Sequence, residues 1–149
     1  MPRPLVPDTT VLVAAIRDAD RTLLGAISRR RVWLSAVVIC ELYAGTRSAA
    51  EAALIHRLSR DAQATDQLLV PTLDDWSRAG QLLARRIRLQ GCIAPARPLA
   101  DVLIVASAGR IGGEVLTSNR VQFESWADLA RRSGLDVVVR AEGIDGQLA

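Results

Sequence analysis

Residues 98–117 read PLADVLIVASAGRIGGEVLT. Residues 98–109 form an apolar run suited to a helix, and Pro98 fits its first turn, where a missing N–H costs nothing. Past Gly112 and Gly113, Glu-Val-Leu-Thr at 114–117 reads as a short strand. A helix that feeds a buried strand is half of an α/β unit. One residue is out of place in it. Asp101 stands among apolar neighbours, where a carboxylate needs a partner or a metal.

Working outward, the same alternation recurs. Leu5-Val6-Pro7 is a clipped strand ending at Asp8, and a helix follows with Asp8 or Thr9 near its cap. Residues 19–30 carry Leu23, Leu24 and Ile27 at helical spacing. Residues 32–34 (Val-Trp-Leu) form a second strand, and Ser35 caps a helix running through VVICELYAG to Gly45. SAAEAALIHRLSRDA is a further amphipathic helix, and Leu-Leu-Val at 68–70 is a strand stopped by Pro71. LDDWSRAGQLLARRIRLQG has an acidic start and a basic end, matching the helix dipole, and Gly91 ends it. ESWADLARRSG predicts a helix from Glu124 to Gly134, and residues 136–139 a last strand. Strand and helix in alternation imply an α/β class with a mainly parallel central sheet of four to five strands and helices on both faces. Residues 1–140 read as one domain and 141–149 as a frayed tail.

Composition sets the limits. A chain of 149 residues suggests one compact domain. Half its residues are hydrophobic but only 3% are aromatic, so Ala, Val, Leu and Ile must build the core. No apolar run approaches the ~20 residues of a membrane span, and the N-terminus lacks a signal-peptide core; the expected location is cytoplasmic, without membrane association. Cys40 and Cys92 lie far from each other and from His56, which excludes zinc and CxxC spacings, and both are expected to be small buried hydrophobes. All 19 basic residues are Arg. A net charge of +3 permits nucleic-acid binding without requiring it. Because the arginines are not confined to one tail, compositional bias explains them more simply than a phosphate-binding function.

In an open parallel sheet, sites gather at the carboxyl ends of the strands. Asp8 ends strand one, Glu41 lies about two turns into the helix after strand two, Asp101 opens another helix, and Asn119 follows strand four. These segments can deliver oxygen ligands to one sheet edge, as a hard divalent cation requires. Grouped carboxylates repel each other, and a cation relieves that penalty while activating water against a phosphoryl group. Each acid also has a plainer reading: Asp8 as a turn or cap residue, Glu41 as a solvated or ion-paired helix residue, Asp101 as an acid suited to a helix N-terminus. His56 fits an exposed helix face. AGRIGG at 108–113 is no phosphate loop, since it lacks GxGxxG and follows a helix.

Taken in order, PDTTVLV, LSAVVICELYAGTR, PLADVLIVASAG and VLTSNRVQF resemble the motifs of PIN-domain ribonucleases, and among them the VapC-type toxins of bacterial toxin–antitoxin pairs. The resemblance covers about residues 4–140. It implies a three-layer α/β/α PIN-like fold and an endoribonuclease dependent on Mg²⁺ or Mn²⁺. It implies that Asp8, Glu41 and Asp101 are the acidic, metal-holding residues, and that Thr10 orients Asp8 or bonds a metal-bound water. It further implies RNA as substrate (structured RNA such as transfer RNA), a cognate VapB-like antitoxin that blocks the site, and a homodimer.

The fourth motif departs from the family, which often carries an acid there; this chain has Asn119 and Gln122. Amides add no charge, so three carboxylates assisted by Asn119, holding one cation rather than two, are expected. Gln122→Asp should tighten metal binding in calorimetry if that position faces the site. Arg120, beside Asn119, is the candidate for binding flanking phosphates. Arg85, Arg86 and Arg88 are either a second basic patch or a solvated helix end. The alternative to a nuclease is a catalytically weakened module that binds RNA or antitoxin without cutting. A nucleotide-binding Rossmann-like protein is a weaker alternative, because no glycine loop follows strand one.

Overall fold

The computed structural model describes residues 2–28, 32–91 and 98–141. In chain order the elements are β1 (Leu5–Pro7), α1 (Thr9–Arg17), α2 (Arg21–Ser28), β2 (Leu34–Ser35), α3 (Ala36–Ala44), α4 (Ala49–Ala64), β3 (Leu68–Leu69), α5 (Leu73–Gln90), α6 (Leu99–Arg110), β4 (Glu114–Thr117), α7 (Arg120–Arg132) and β5 (Val138–Ala141). Every strand pairing among them is parallel. The sheet comes in two pieces, ordered β1-β4-β5 and β2-β3. A bridge between Leu5 and Val32 joins them, with the Trp33 N–H donating to the Leu5 carbonyl at 2.8 Å. Strands β2 and β3 are two residues each, too short to extend one continuous ladder. Helices α1 to α4 pack among themselves, α5 to α7 do likewise, and α3 meets α6. The result is a helix-rich α/β fold consistent with three layers.

The aliphatic composition is realised in the core. Val6, Leu12, Leu34, Val102, Ile104 and Leu116 are fully buried, and Phe123 and Trp126 are buried aromatic members. Removing such an aliphatic side chain from water stabilises the fold by about 1.5–3 kcal/mol. Helix α6 is buried without interruption from Val102 to Gly109. A Cβ at Gly109 would lie 3.0 Å from that of Leu135, so any side chain there would press Leu135 back by a few tenths of an ångström where α6 meets the chain leading into β5.

Some boundaries move. Pro98 is the residue just before α6, not one within its first turn. Helix α7 starts at Arg120, four residues ahead of the expected Glu124, because Phe123 is buried and anchors an additional first turn. Strand β5 is displaced to 138–141. Leu135 and Val137 enter the core while Asp136 stays outside, paired with Arg3 at 2.8 Å. Cys40 is exposed rather than buried, because α3 turns Val38 and Leu42 inward instead; Cys92 lies outside the described residues. So do residues 142–149, which include nearly all of the expected tail. Among the described residues no helix is long and apolar enough to cross a membrane.

Candidate active site

The carboxyl ends of β1 and β4 lie side by side, with Pro7 in register with Leu116. Chain order reverses here, with β2 reached on one side of β1 and β4 on the other, which is where open α/β sheets form a crevice. Asp8 follows β1 directly and caps α1. Its carboxylate is only 2% exposed. Oδ1 accepts the Val11 N–H at 3.1 Å and the Thr10 hydroxyl at 2.7 Å. Oδ2 accepts the hydroxyl of buried Thr117, the last residue of β4, at 2.6 Å. Both hydroxyls also receive backbone N–H groups of the next turn: Ser118 N–H reaches Thr10 at 3.2 Å and Asn119 N–H reaches Thr117 at 2.9 Å. The turn into α7 is thereby tied to Asp8.

Glu41 sits on α3 and accepts the hydroxyl of Thr9 through Oε2. Asp101 sits in the first turn of α6, half-buried, and Oδ2 accepts the Gln122 side-chain amide at 2.7 Å. The Gln122 carbonyl in turn accepts the Asn119 side-chain amide at 3.0 Å. Burial first, then the negative charges of Glu41 and Asp8, push the Asp101 carboxyl up to about 6 against the opposing Gln122 hydrogen bond. Asp101 therefore feels both other acids.

Among the described residues the arginine ion pairs go to other acids, Asp74, Asp75, Glu114 and Glu124 among them. None reaches Asp8, Glu41 or Asp101. An all-oxygen, negative set left unneutralised by side-chain cations is chemically suited to a hard divalent ion. As the side chains stand, no group of three or more His, Cys, Asp or Glu among the described residues is close enough to hold a metal ion. Thr9 and Gln122 hold two of the carboxylates instead.

Arg120 begins α7 and borders an exposed depression with Val121, Glu124, Ser125, Asp128 and Arg131. Glu124 is engaged by Arg131 at 2.5 Å. Arg85 and Arg86 belong to the scaffold. Arg86 lies 4.1 Å over the Trp126 ring and donates to Ser125 at 2.6 Å; Arg85 donates to Ser133 at 3.2 Å. Both fasten α5 to α7. His56 is exposed on α4.

Thr9, Thr117 and the Gln122 contact escape a reading of the sequence alone. Thr117 leaves one faint sign, a hydroxyl residue ending an otherwise apolar strand. The Gln122–Asp101 contact spans α6 and α7 and leaves none.

The family described as PIN domain matches residues 5–129. No curated protein matches the chain. Similar solved structures include VapBC2 from Rickettsia felis bound to a DNA fragment from its promoter, at 16% identity and a TM-score of 0.60, covering 93% of this chain and 98% of that one. DNA-bound VapBC from Salmonella typhimurium gives 18% identity and a TM-score of 0.61, with 94% and 98% covered. VapBC-1 from nontypeable Haemophilus influenzae gives 17% and 0.56, with 89% and 95% covered. At these identities the likeness is one of fold.

Proposed function

Because the chain belongs to the PIN domain family, whose members are generally nucleases, we propose that it is a metal-dependent endoribonuclease toxin, hydrolysing RNA phosphodiester bonds and inhibited by a cognate VapB-like antitoxin. The observation that carries the reading is the Asp101 carboxyl, pushed to about 6 by burial and by the charges of Glu41 and Asp8, with no arginine among the described residues paired to the group. Asp8, Glu41 and Asp101 would hold the cation, Mg²⁺ or Mn²⁺. When bound, such an ion polarises a phosphoryl oxygen and lowers the pKa of a water. With no acid at Asn119 or Gln122, one ion fits better than two.

The residues then divide the work. Thr10 and Thr117 fix both oxygens of Asp8, and Thr9 fixes Glu41. A carboxylate of the group accepts the proton that the attacking water loses. In-line attack on phosphorus expels the ribose 3′ oxygen and leaves a 5′ phosphate. Arg120 is placed to grip a flanking phosphate, as a planar fork suits that anion. The toxin role and the antitoxin partner are supported by the fold shared with VapBC complexes. A structured RNA such as transfer RNA, a homodimer and a cytoplasmic setting complete the reading, with residues 1–140 as the nuclease domain.

The test is RNA cleavage with Mg²⁺ or Mn²⁺, against EDTA and Asp8→Ala controls. Cleavage that needs both the ion and Asp8 is expected. Equal cleavage in all three samples would mean a contaminating nuclease. One observation favours a second reading, a binding module that has lost catalysis: the amides of Asn119 and Gln122 occupy the fourth position, and Gln122 bonds Asp101. RNA or antitoxin binding without metal-dependent cleavage would select it.

A further inference from the structure

We propose that Gln122 is a positioning residue for Asp101, and that Asn119 holds Gln122 in turn. The inference rests on reading Asp101 as a cation ligand. Asn119 occupies the N-cap of α7 yet makes no side-chain capping bond. An asparagine there ordinarily accepts an N–H of the first turn. Here its amide donates to the Gln122 carbonyl at 3.0 Å, and the Gln122 amide donates to Asp101 Oδ2 at 2.7 Å. The two contacts fix the direction of this chain: the Gln122 NH₂ faces Asp101 and its oxygen faces the Asn119 amide. Gln122 is exposed, so packing does not hold it in that pose. The pair of amides links α7 to α6 and commits Oδ2. Among the described residues Oδ1 is left for a ligand.

The polar partner of a ligating group orients it before the ion arrives, and loss of such a partner typically lowers metal affinity 10–100-fold. The position is exposed, so the low end applies. Gln122→Ala is expected to weaken Mn²⁺ binding about tenfold in calorimetry on the full chain. Asn119→Ala should weaken it less, and the double variant should match Gln122→Ala within about twofold, since both act through one path. NMR of the metal-free protein gives an independent readout: the Gln122 side-chain amide signals should stand apart from those of free glutamine and collapse towards them in Asp101→Ala. Free-glutamine signals in the wild type would overturn the proposal. So would a Gln122→Ala protein that binds Mn²⁺ as the wild type does while Asp8→Ala and Asp101→Ala do not; the cation reading would then survive. Single losses that multiply in the double variant would remove the role given to Asn119. A distinct amide signal in a wild type that takes up no Mn²⁺ would defeat the cation reading and the positioning role together, leaving a structural contact.

Discussion

Two buried carboxylates near helix N-termini are treated in opposite ways. Asp75, in the first turn of α5, is fully buried and paired with Arg110 at 2.9 Å. It also accepts the Thr72 N–H at 2.9 Å, closing a reciprocal cap, while Arg110 spends another N–H on the Val70 carbonyl at 3.1 Å. Asp8 is almost as buried, yet its donors are two hydroxyls and one amide. An internal cation settles the charge of Asp75 for good. Neutral donors orient Asp8 and leave its charge to be met from outside. The first arrangement serves stability; the second is the one the proposed chemistry requires.

The contrast can be broken most forcefully at Asp8. Asp8→Ala should lower metal-dependent RNA cleavage about a thousandfold, roughly 4 kcal/mol of transition-state stabilisation, with the fold retained by circular dichroism. Asp75→Ala should do the reverse. It strands Arg110 and opens the cap, and urea unfolding should show a loss of about 3 kcal/mol, with the cleavage rate of the remaining folded protein little changed. If Asp75→Ala abolished cleavage in folded protein, the two acids would not differ in kind.

Thr117→Val tests the hydroxyl that holds Asp8. The shapes match, so the change removes a buried bond and should reduce stability by about 1–1.5 kcal/mol in the same melts. The smallest effect is at Asp101 and is read through pH. Its carboxyl is raised when folded, so the neutral acid is favoured in the native state. The stability it lends is fully present below the unfolded value near 4 and is lost as pH rises through about 6. Metal-free Asp101→Asn should therefore match the wild type near pH 4 and exceed it at pH 7, by about 1 kcal/mol once solvent screening is allowed for. Parallel unfolding curves at every pH would contradict the crowding of Asp101 by its neighbours.

The comparison also shows what a sequence can disclose. Alternating apolar runs predict β4 at 114–117 to the residue, because its last three positions are buried and Val115 and Leu116 mark them in the sequence. The first turn of α7 is hidden, since Asn119 gives no side-chain cap and Phe123 anchors it only through tertiary burial. Cys40 misleads for a related reason: α3 is apolar nearly all round, and its periodicity does not say which side faces out. The acids announce themselves as carboxylates in apolar surroundings. Their partners do not. Thr117 meets Asp8 across 109 positions of chain and Thr9 meets Glu41 across 32, so those contacts exist only after folding.

The divided sheet has a mechanical side. Asp8 springs from the three-stranded piece and Glu41 from the helix that follows β2 in the two-stranded piece, and among the described residues a single bridge stitches the two. The acids stand on different pieces of that sheet, tied directly by the Thr9 hydroxyl on Glu41. An ion gripped from both sides would add a second tie. Amide hydrogens of β2 and β3 should then exchange more slowly when Mn²⁺ is present, by the same mass action that couples any ligand to the state it prefers.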